Sequence, residues 1–435
     1  MRFTRSLGAC LALTHLMAAY SGGASEPATG LADSAALRAT VYGTPPQDIA
    51  PLPARVPLEE INIALPWARP LPPVLWFDRR LRVWFSAQRA PAPLAIVISG
   101  TGADGNTTNI ALLRAALYGA GYHVLTIPSP TFPGFIAAAS STGVAGDLEQ
   151  DSRDVYAVAG EVVRRLRPRV GITAVDILGY SLGGAHAAVV KWLDAAQHQL
   201  GIRRAVMINP PVSLFDSMER LDRLFASSIG EGDAGFDQLY RRVYVRLANY
   251  YRATDQVRVE DTNLMGAAAA VLRTDADFSA AIALTFRIAL VNVFYAGDLY
   301  AGTGVISNPR YPPRPGDATE AVFRVLLGKD FAHYFDQVFA PFYLARRPGI
   351  TREALYASSR LDLIGAALQS DPDYYAQTNA DDLILDQAEL EWLRARLGAR
   401  IVVYPHGGHL GNLGERRQIA DMLDMLGGRW SGTAR

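Results

Sequence analysis

The sequence predicts an α/β protein: a mostly parallel sheet with helices on both faces and a large helical cap insertion. Three observations predict it. Short β-branched runs alternate with helical patterns between residues 76 and 211. The alternation stops over 212–370, where the pattern is mostly helical, and it resumes from 371 onward. The strand runs lack a clean polar/apolar alternation, as strands covered on both faces must. Sheets of this kind present their chemistry at the carboxyl ends of the strands.

Taken in order, residues 1–24 place Arg2 and Arg5 ahead of an apolar run over 7–19, with Gly22 and Ala24 at positions suited to cleavage. This predicts a signal peptide and a periplasmic or secreted protein. The run is too short to span a bilayer. Cys10, the only cysteine, falls inside that segment. A mature chain without it would have no disulfide, thiolate nucleophile or Cys-ligated zinc.

Residues 25–75 are rich in Pro, Ala and Gly and predict an extended N-terminal lead-in, followed by strands over 74–77 and 81–85 as a candidate hairpin. The first part of the core, 76–211, then gives strand 94–99, helix 107–118, strand 122–127, helix 147–166, strand 175–178, helix 182–197 and strand 205–208. In the insertion, 212–370, Tyr240, Tyr244, Leu247 and Tyr251 fall at helical spacing. The longest internal apolar run, 278–296, is interrupted by Arg287 and Asn292 and predicts a buried helix, not a membrane span. The second part of the core, 371–435, supplies strand 374–378, helix 388–397, strand 400–404 and helix 415–426. An insertion between strands sits over the carboxyl edge of the sheet, where it would act as a cap or lid.

The 42 Lys and Arg residues balance the 42 Asp and Glu residues. The long-range attraction that a nucleic-acid binder uses is therefore absent, and no nucleic-acid partner is expected.

Gly179-Tyr180-Ser181-Leu182-Gly183 fits G-x-S-x-G, a serine on a tight turn whose small neighbours let strand and helix approach. The pentapeptide alone is a weak signal, but a predicted strand precedes it and a predicted helix follows. A helix starting directly after Ser181 aims its positive end, and the Leu182 N–H, at the site where an oxyanion would form. A serine hydroxyl needs a base to take its proton. Pro405-His406-Gly407-Gly408-His409, after the last strand, offers His409 as the base and His406 as its alternative. The imidazole in turn needs a carboxylate to hold its tautomer. Asp381 and Asp382, after the strand at 374–378, are candidates, with Asp216 a third.

At this point the chain resembles the α/β-hydrolase superfamily. In that family the acid often follows a strand as G-x-x-D. On this pattern Asn379 stands where glycine is usual, and Asp382 becomes the acid. The order Ser181, Asp382, His409 is the one the superfamily uses. Ser99-Gly100-Thr101-Gly102 resembles its H-G-x-G loop with Ser99 in place of histidine, which implies the Thr101 N–H, or else that of Gly102, as second oxyanion donor. No G-K-[ST] follows, so a phosphate-binding loop is not supported. The resemblance covers 76–211 and 371–427. It implies a serine hydrolase (carboxylesterase/lipase-like) acting on a small-molecule or lipid-like ester with no cofactor and no metal. A peptidase or amidase with the same triad, or a silent binding protein on the same fold, are the other readings.

Overall fold

The computed structural model describes residues 34–66, 69–76, 78–229, 272–317 and 320–432. The predicted signal with Cys10, and Tyr240, Tyr244, Leu247 and Tyr251, lie outside the described residues.

The strands are β1 (Glu59–Ile63), β2 (Leu81–Ser86), β3 (Ala92–Ile98), β4 (His123–Ile127), β5 (Ile172–Tyr180), β6 (Ile202–Ile208), β7 (Tyr374–Asn379) and β8 (Ile401–Tyr404). They form one sheet in the order β1-β2-β4-β3-β5-β6-β7-β8. β1 and β2 pair antiparallel at one edge, and from β4 to β8 every pairing is parallel. Helix α1 (Ser34–Tyr42) precedes the sheet. Helices α2 (Thr108–Gly119), α3 (Pro133–Ala138), α4 (Leu148–Leu166) and α5 (Leu182–Gln197) lie between β3 and β6. Between β6 and β7 come α6 (Leu214–Ile229), α7 (Asp275–Ala301), α8 (Glu320–Leu327), α9 (Phe331–Tyr334), α10 (Ala340–Leu344), α11 (Arg352–Ala357) and α12 (Gly365–Ser370). α13 (Gln387–Leu397) and α14 (Arg416–Gly427) flank β8.

The packing explains the strand composition. Along β3, Leu94, Ile96 and Ile98 enter the core shared with α4 and α5, while Ala95 and Val97 enter the core on the other face with Ile110 and Leu113 of α2 and Met422 of α14. Both sets are fully buried. Each large apolar side chain removed from water contributes roughly 2 kcal/mol, so neither face of the strand can carry polar residues.

A third cluster joins the helices between β6 and β7 to the carboxyl edge of the sheet. It packs Phe215, Phe294, Tyr334 and Phe339 with Leu182 and with Leu37 of α1. Its axis is α7, which opens on a reciprocal capping box between Thr274 and Asp277 and closes on Gly302 in the left-handed conformation. Among the described residues α7 is the one helix long and apolar enough to cross a membrane, yet 83% of its most apolar window is buried in the protein. Its one charge in the apolar run, Arg287, bonds Asp222 of α6 at 2.6 Å and the carbonyls of Leu327 and Lys329 at 3.1 and 2.9 Å.

Two expectations need correction. The strand expected over 74–77 is a 3-10 turn, Pro73–Leu75, because Pro72 and Pro73 fix φ at values that start a helical turn and Pro73 lacks the N–H a ladder needs. β2 pairs instead with β1, from Glu59 opposite Phe85 to Ile63 opposite Leu81. The lead-in over 25–75 is therefore not simply extended: it contains this edge strand and α1, which buries Ala36, Leu37 and Val41.

Removing Asp222 would leave the Arg287 guanidinium, 6% exposed, with backbone carbonyls and the Phe225 ring but no carboxylate bonded to it. Asp222→Ala is expected to lower stability by about 3 kcal/mol, read as a fall in the midpoint of denaturant unfolding.

Candidate active site

β5 ends at Tyr180 and α5 starts at Leu182, so the whole reversal falls on Ser181 (φ 54°, ψ −133°). This is backbone space that L-residues avoid. The turn survives because its neighbours are glycines. A Cβ on Gly179 would stand 2.1 Å from the carbonyl oxygen of Gly183, and one on Gly183 would stand 2.2 Å from that of Ile98. The Ser181 N–H is anchored on the Ile208 carbonyl at 2.7 Å. The loop after β3 lies against the serine, since a Cβ on Gly100 would come within 3.2 Å of the Ser181 Cβ. In that loop the Gly102 N–H is taken by the Thr131 hydroxyl at 2.8 Å. The N–H groups of Thr101 and Leu182 donate to none of the described residues.

His409 follows β8 and reaches over the sheet edge. Its Nε2 lies 3.0 Å from Ser181 Oγ and its Nδ1 lies 2.9 Å from Asp382 Oδ1. With the Nδ1–H donated to the carboxylate, Nε2 is left to accept the serine proton. Asp382 also accepts from the Ile384 N–H at 3.1 Å and, on Oδ2, from Asn209 Nδ2 at 2.7 Å. All three side chains are nearly dry, with Ser181 4%, His409 5% and Asp382 5% exposed. Low dielectric and fixed donors strengthen each of these bonds.

The neighbouring Asp381 does something else. Its carboxylate accepts the N–H groups of Gly407 and Gly408 at 3.2 and 2.9 Å and so shapes the histidine loop. Asn379, where the resemblance leads one to expect glycine, holds the same loop. Its Nδ2 donates to the Gly408 carbonyl at 2.7 Å, and its amide is paired reciprocally with that of Asn412. α1 and the turn after it close the loop from outside: the His409 N–H donates to Thr40 Oγ1 at 2.8 Å, and Thr44 Oγ1 bridges Gly411 and Gly414.

The alternatives lie elsewhere. His406 is 79% exposed and 4.0 Å from Asp381. Asp216 pairs with Arg360 at 2.7 Å and with the Tyr356 hydroxyl at 2.8 Å. His186 of α5, five residues after the serine, is a packing residue: it bonds Ser152 inside the core, and burial pushes its pKa down to about 3, which keeps it neutral. Sequence reading missed Asn209, Thr40 and Phe286, whose ring centroid is 6.2 Å from that of His409. The signal for Asn209 is faint: a polar residue directly after a strand, at φ 46°, in the left-handed region that Asn tolerates. Thr40 carried no signal, because it bonds across more than 360 residues.

A mostly parallel sheet of this strand order, with a serine at a strained strand-to-helix turn, is the α/β-hydrolase fold. No family model matches the chain, and no curated protein matches it. Among solved structures it is similar to a hyperthermophilic esterase from the archaeon Pyrobaculum calidifontis, with 16% identity over 86% of this chain and 85% of that one and a TM-score of 0.38. It is similar also to a membrane phospholipase A, a bacterial virulence factor (16% identity, 86% and 87% covered, TM-score 0.40). A thioesterase domain from the curacin biosynthetic pathway is a third (11% identity, 84% and 99% covered, TM-score 0.38). Likenesses of this size carry no information on substrate, which has to be read from the residues themselves.

Ser181→Gly and Ser181→Ala both lack the hydroxyl and differ in the freedom of the backbone. The glycine variant is expected to be the more stable by about 1 kcal/mol, read from thermal unfolding of the two side by side. Equal stabilities would mean that the turn holds no strain.

Proposed function

We propose that this protein is a serine hydrolase that cleaves a carboxylic ester through an acyl-enzyme. The observation that carries the reading is the continuous relay Ser181 Oγ, His409 Nε2, His409 Nδ1, Asp382 Oδ1, with bonds of 3.0 and 2.9 Å. Ser181 Oγ attacks the carbonyl carbon as its proton passes to His409 Nε2. Asp382 holds the imidazole and stabilises the cation so formed. The N–H groups of Leu182 and Thr101 receive the oxyanion. Collapse of the tetrahedral intermediate returns the proton from His409 to the departing alkoxide. Water, deprotonated by His409, then releases the acid and restores Ser181.

The apolar setting favours an ester with a hydrocarbon acyl group. Phe286 lies beside His409, and a Cβ on Gly102 would stand 2.7 Å from the Ala289 methyl, so α7 lines the site with ring and methyl groups. An alkoxide also leaves more readily than an amine, which ranks ester above amide. Residues 1–24 have the pattern of a secretory signal, and we place the enzyme in the periplasm or outside the cell on that pattern.

The full chain is expected to react with a fluorophosphonate at Ser181. Labelling should vanish in Ser181→Ala, fall by at least about 100-fold in His409→Ala and persist in His406→Ala. A folded wild type that takes no label would remove the reading, and turnover of anilides in preference to matched esters would make the enzyme an amidase.

Asn209→Ala removes a donor from Asp382 without touching substrate. It is expected to lower kcat about 10-fold with KM little changed, in ester assays of the purified variant. An unchanged kcat would show that the Ile384 N–H suffices to orient the carboxylate.

A further inference from the structure

A cavity of about 400 Å³ opens among the loop after α3, the start of α4, the end of α7 and the segment around α10. None of Ser181, Leu182, Thr101, Asp382 or His409 lines it. Three arginines do, each with its guanidinium against an aromatic ring. Arg69 lies 4.0 Å from the Tyr300 centroid, Arg346 3.8 Å from that of Phe342 and Arg347 4.5 Å from that of Tyr343. Stacking of this kind fixes the plane of the guanidinium before any ligand arrives.

The charges do not cancel. Arg347 is paired with the buried carboxylate of Asp147. Neither Arg69 nor Arg346 has a carboxylate at salt-bridge distance among the described residues. Asp154 acts on Arg69 only through its field, its own Oδ2 being occupied by the N–H and hydroxyl of Ser141 at 2.8 and 3.1 Å. A third acid nearby, Asp151, is fully buried and held towards its neutral form by that burial, so with Asp147 and Asp154 ionised one positive charge is left over. Arg69 directs Nε and Nη1 to the carbonyls of Ser140 and Thr142 at 3.2 and 2.6 Å, while its Nη2 is buried with no partner among the described residues. Arg346 makes one bond, to the Phe342 carbonyl of its own turn at 3.3 Å. Arg69 is half-buried with no carboxylate at ion-pair distance among the described residues, and desolvation works against its charge; an anion in the cavity would offset that desolvation.

We propose that this cavity is a second binding site, selective for a phosphate group, free or as a monoester, held by Arg69, Arg346 and Arg347. Planar N–H forks suit the tetrahedral oxygens of phosphate, which accept bidentate pairs. The volume admits the phosphate with a small organic remainder. Tyr300 is on the same helix as Ala289, eleven residues further on, so the site lies about 17 Å along α7 from the oxyanion loop. The phosphate can therefore be a separate ligand or the distal end of a long ester.

Calorimetric titration of the full chain with inorganic phosphate and with glycerol phosphate, at constant ionic strength against chloride, tests this. One phosphate per chain is expected, with affinity at least tenfold weaker in Arg346→Gln and lost in Arg69→Gln/Arg346→Gln. Arg346 is exposed and bonds only its own turn, so its single variant will fold and decides the matter if the double variant does not. Phosphate heats no larger than chloride, or equal affinity in Arg346→Gln, would overturn the site. The source is read from kinetics: inorganic phosphate raising KM for a phosphate-bearing ester but not a neutral one marks the substrate's own end, and no effect on either marks a separate ligand. The calorimetric titration does not use Ser181, so the site itself stands or falls apart from the proposed hydrolysis; only the kinetic reading of the source rests on it.

Discussion

The backbone of α5 meets the end of β3 at Gly183, where any side chain would collide with the carbonyl oxygens of Ile98 and Ser99 at 2.2 and 2.5 Å. That approach draws the positive end of a 16-residue helix up to the loop holding Thr101 and leaves Ser181 no room to turn except at positive φ. The serine hydroxyl consequently stands clear of both strand and helix. The central strands, β3, β5 and β6, supply the rigidity behind it, being fully buried along their carboxyl-terminal halves. A strained residue persists only where its surroundings over-determine it, and here sheet pairing, the Ser181 N–H bond to Ile208 and two glycines do so together.

The histidine side of the site is built differently. His409 sits on a loop without regular structure, and such a loop would let an imidazole wander by more than a proton transfer tolerates. Asp381, Asn379, Asn412 and Thr40 each hold that loop, through the Gly407 and Gly408 N–H groups, the Gly408 carbonyl, the His406 carbonyl and the His409 N–H respectively. A Cβ on Gly408 would strike the Ala36 carbonyl at 2.2 Å, so α1 is packed against it as closely as backbone permits. Asn379 serves this loop better than the glycine of the family pattern could, since its amide reaches both the Gly408 carbonyl and Asn412.

α7 links the two polar regions of the molecule. Near its middle Phe286 and Ala289 face His409 and the loop after β3, and near its end Tyr300 stacks on Arg69. Its hydropathy matches that of a membrane span, but its burial comes from α6, α1 and the aromatic cluster around Phe215 and Phe339. Arg287 ties the middle of this helix to α6 and to the end of α8, which keeps a long apolar element from sliding along its neighbours.

Local patterns in the chain were enough to read the parallel strands, the helices between them and the serine turn, because burial on two faces and a Gly-flanked reversal each leave a mark within ten or so residues. Ser181, Asp382 and His409 were legible because each follows a strand in a recognisable spacing, and in the structure they are hydrogen-bonded to one another. The choice between Asp381 and Asp382 was not legible from composition, since the two differ only in which groups of the distant histidine loop they meet, Gly407 and Gly408 for Asp381 and His409 for Asp382. The same holds for β1, α1, Asn209 and Thr40. β1 hides behind Glu59, Glu60 and Asn62, which an edge strand can expose, and α1 lies in a Pro- and Ala-rich stretch that is helical because it packs on the histidine loop and α7. The arginine cavity likewise draws on residues 69, 300 and 346, far apart along the chain. Short-range steric and hydrophobic rules write themselves into neighbouring residues, whereas orientation and charge balance are properties of contacts that exist only once the chain has closed.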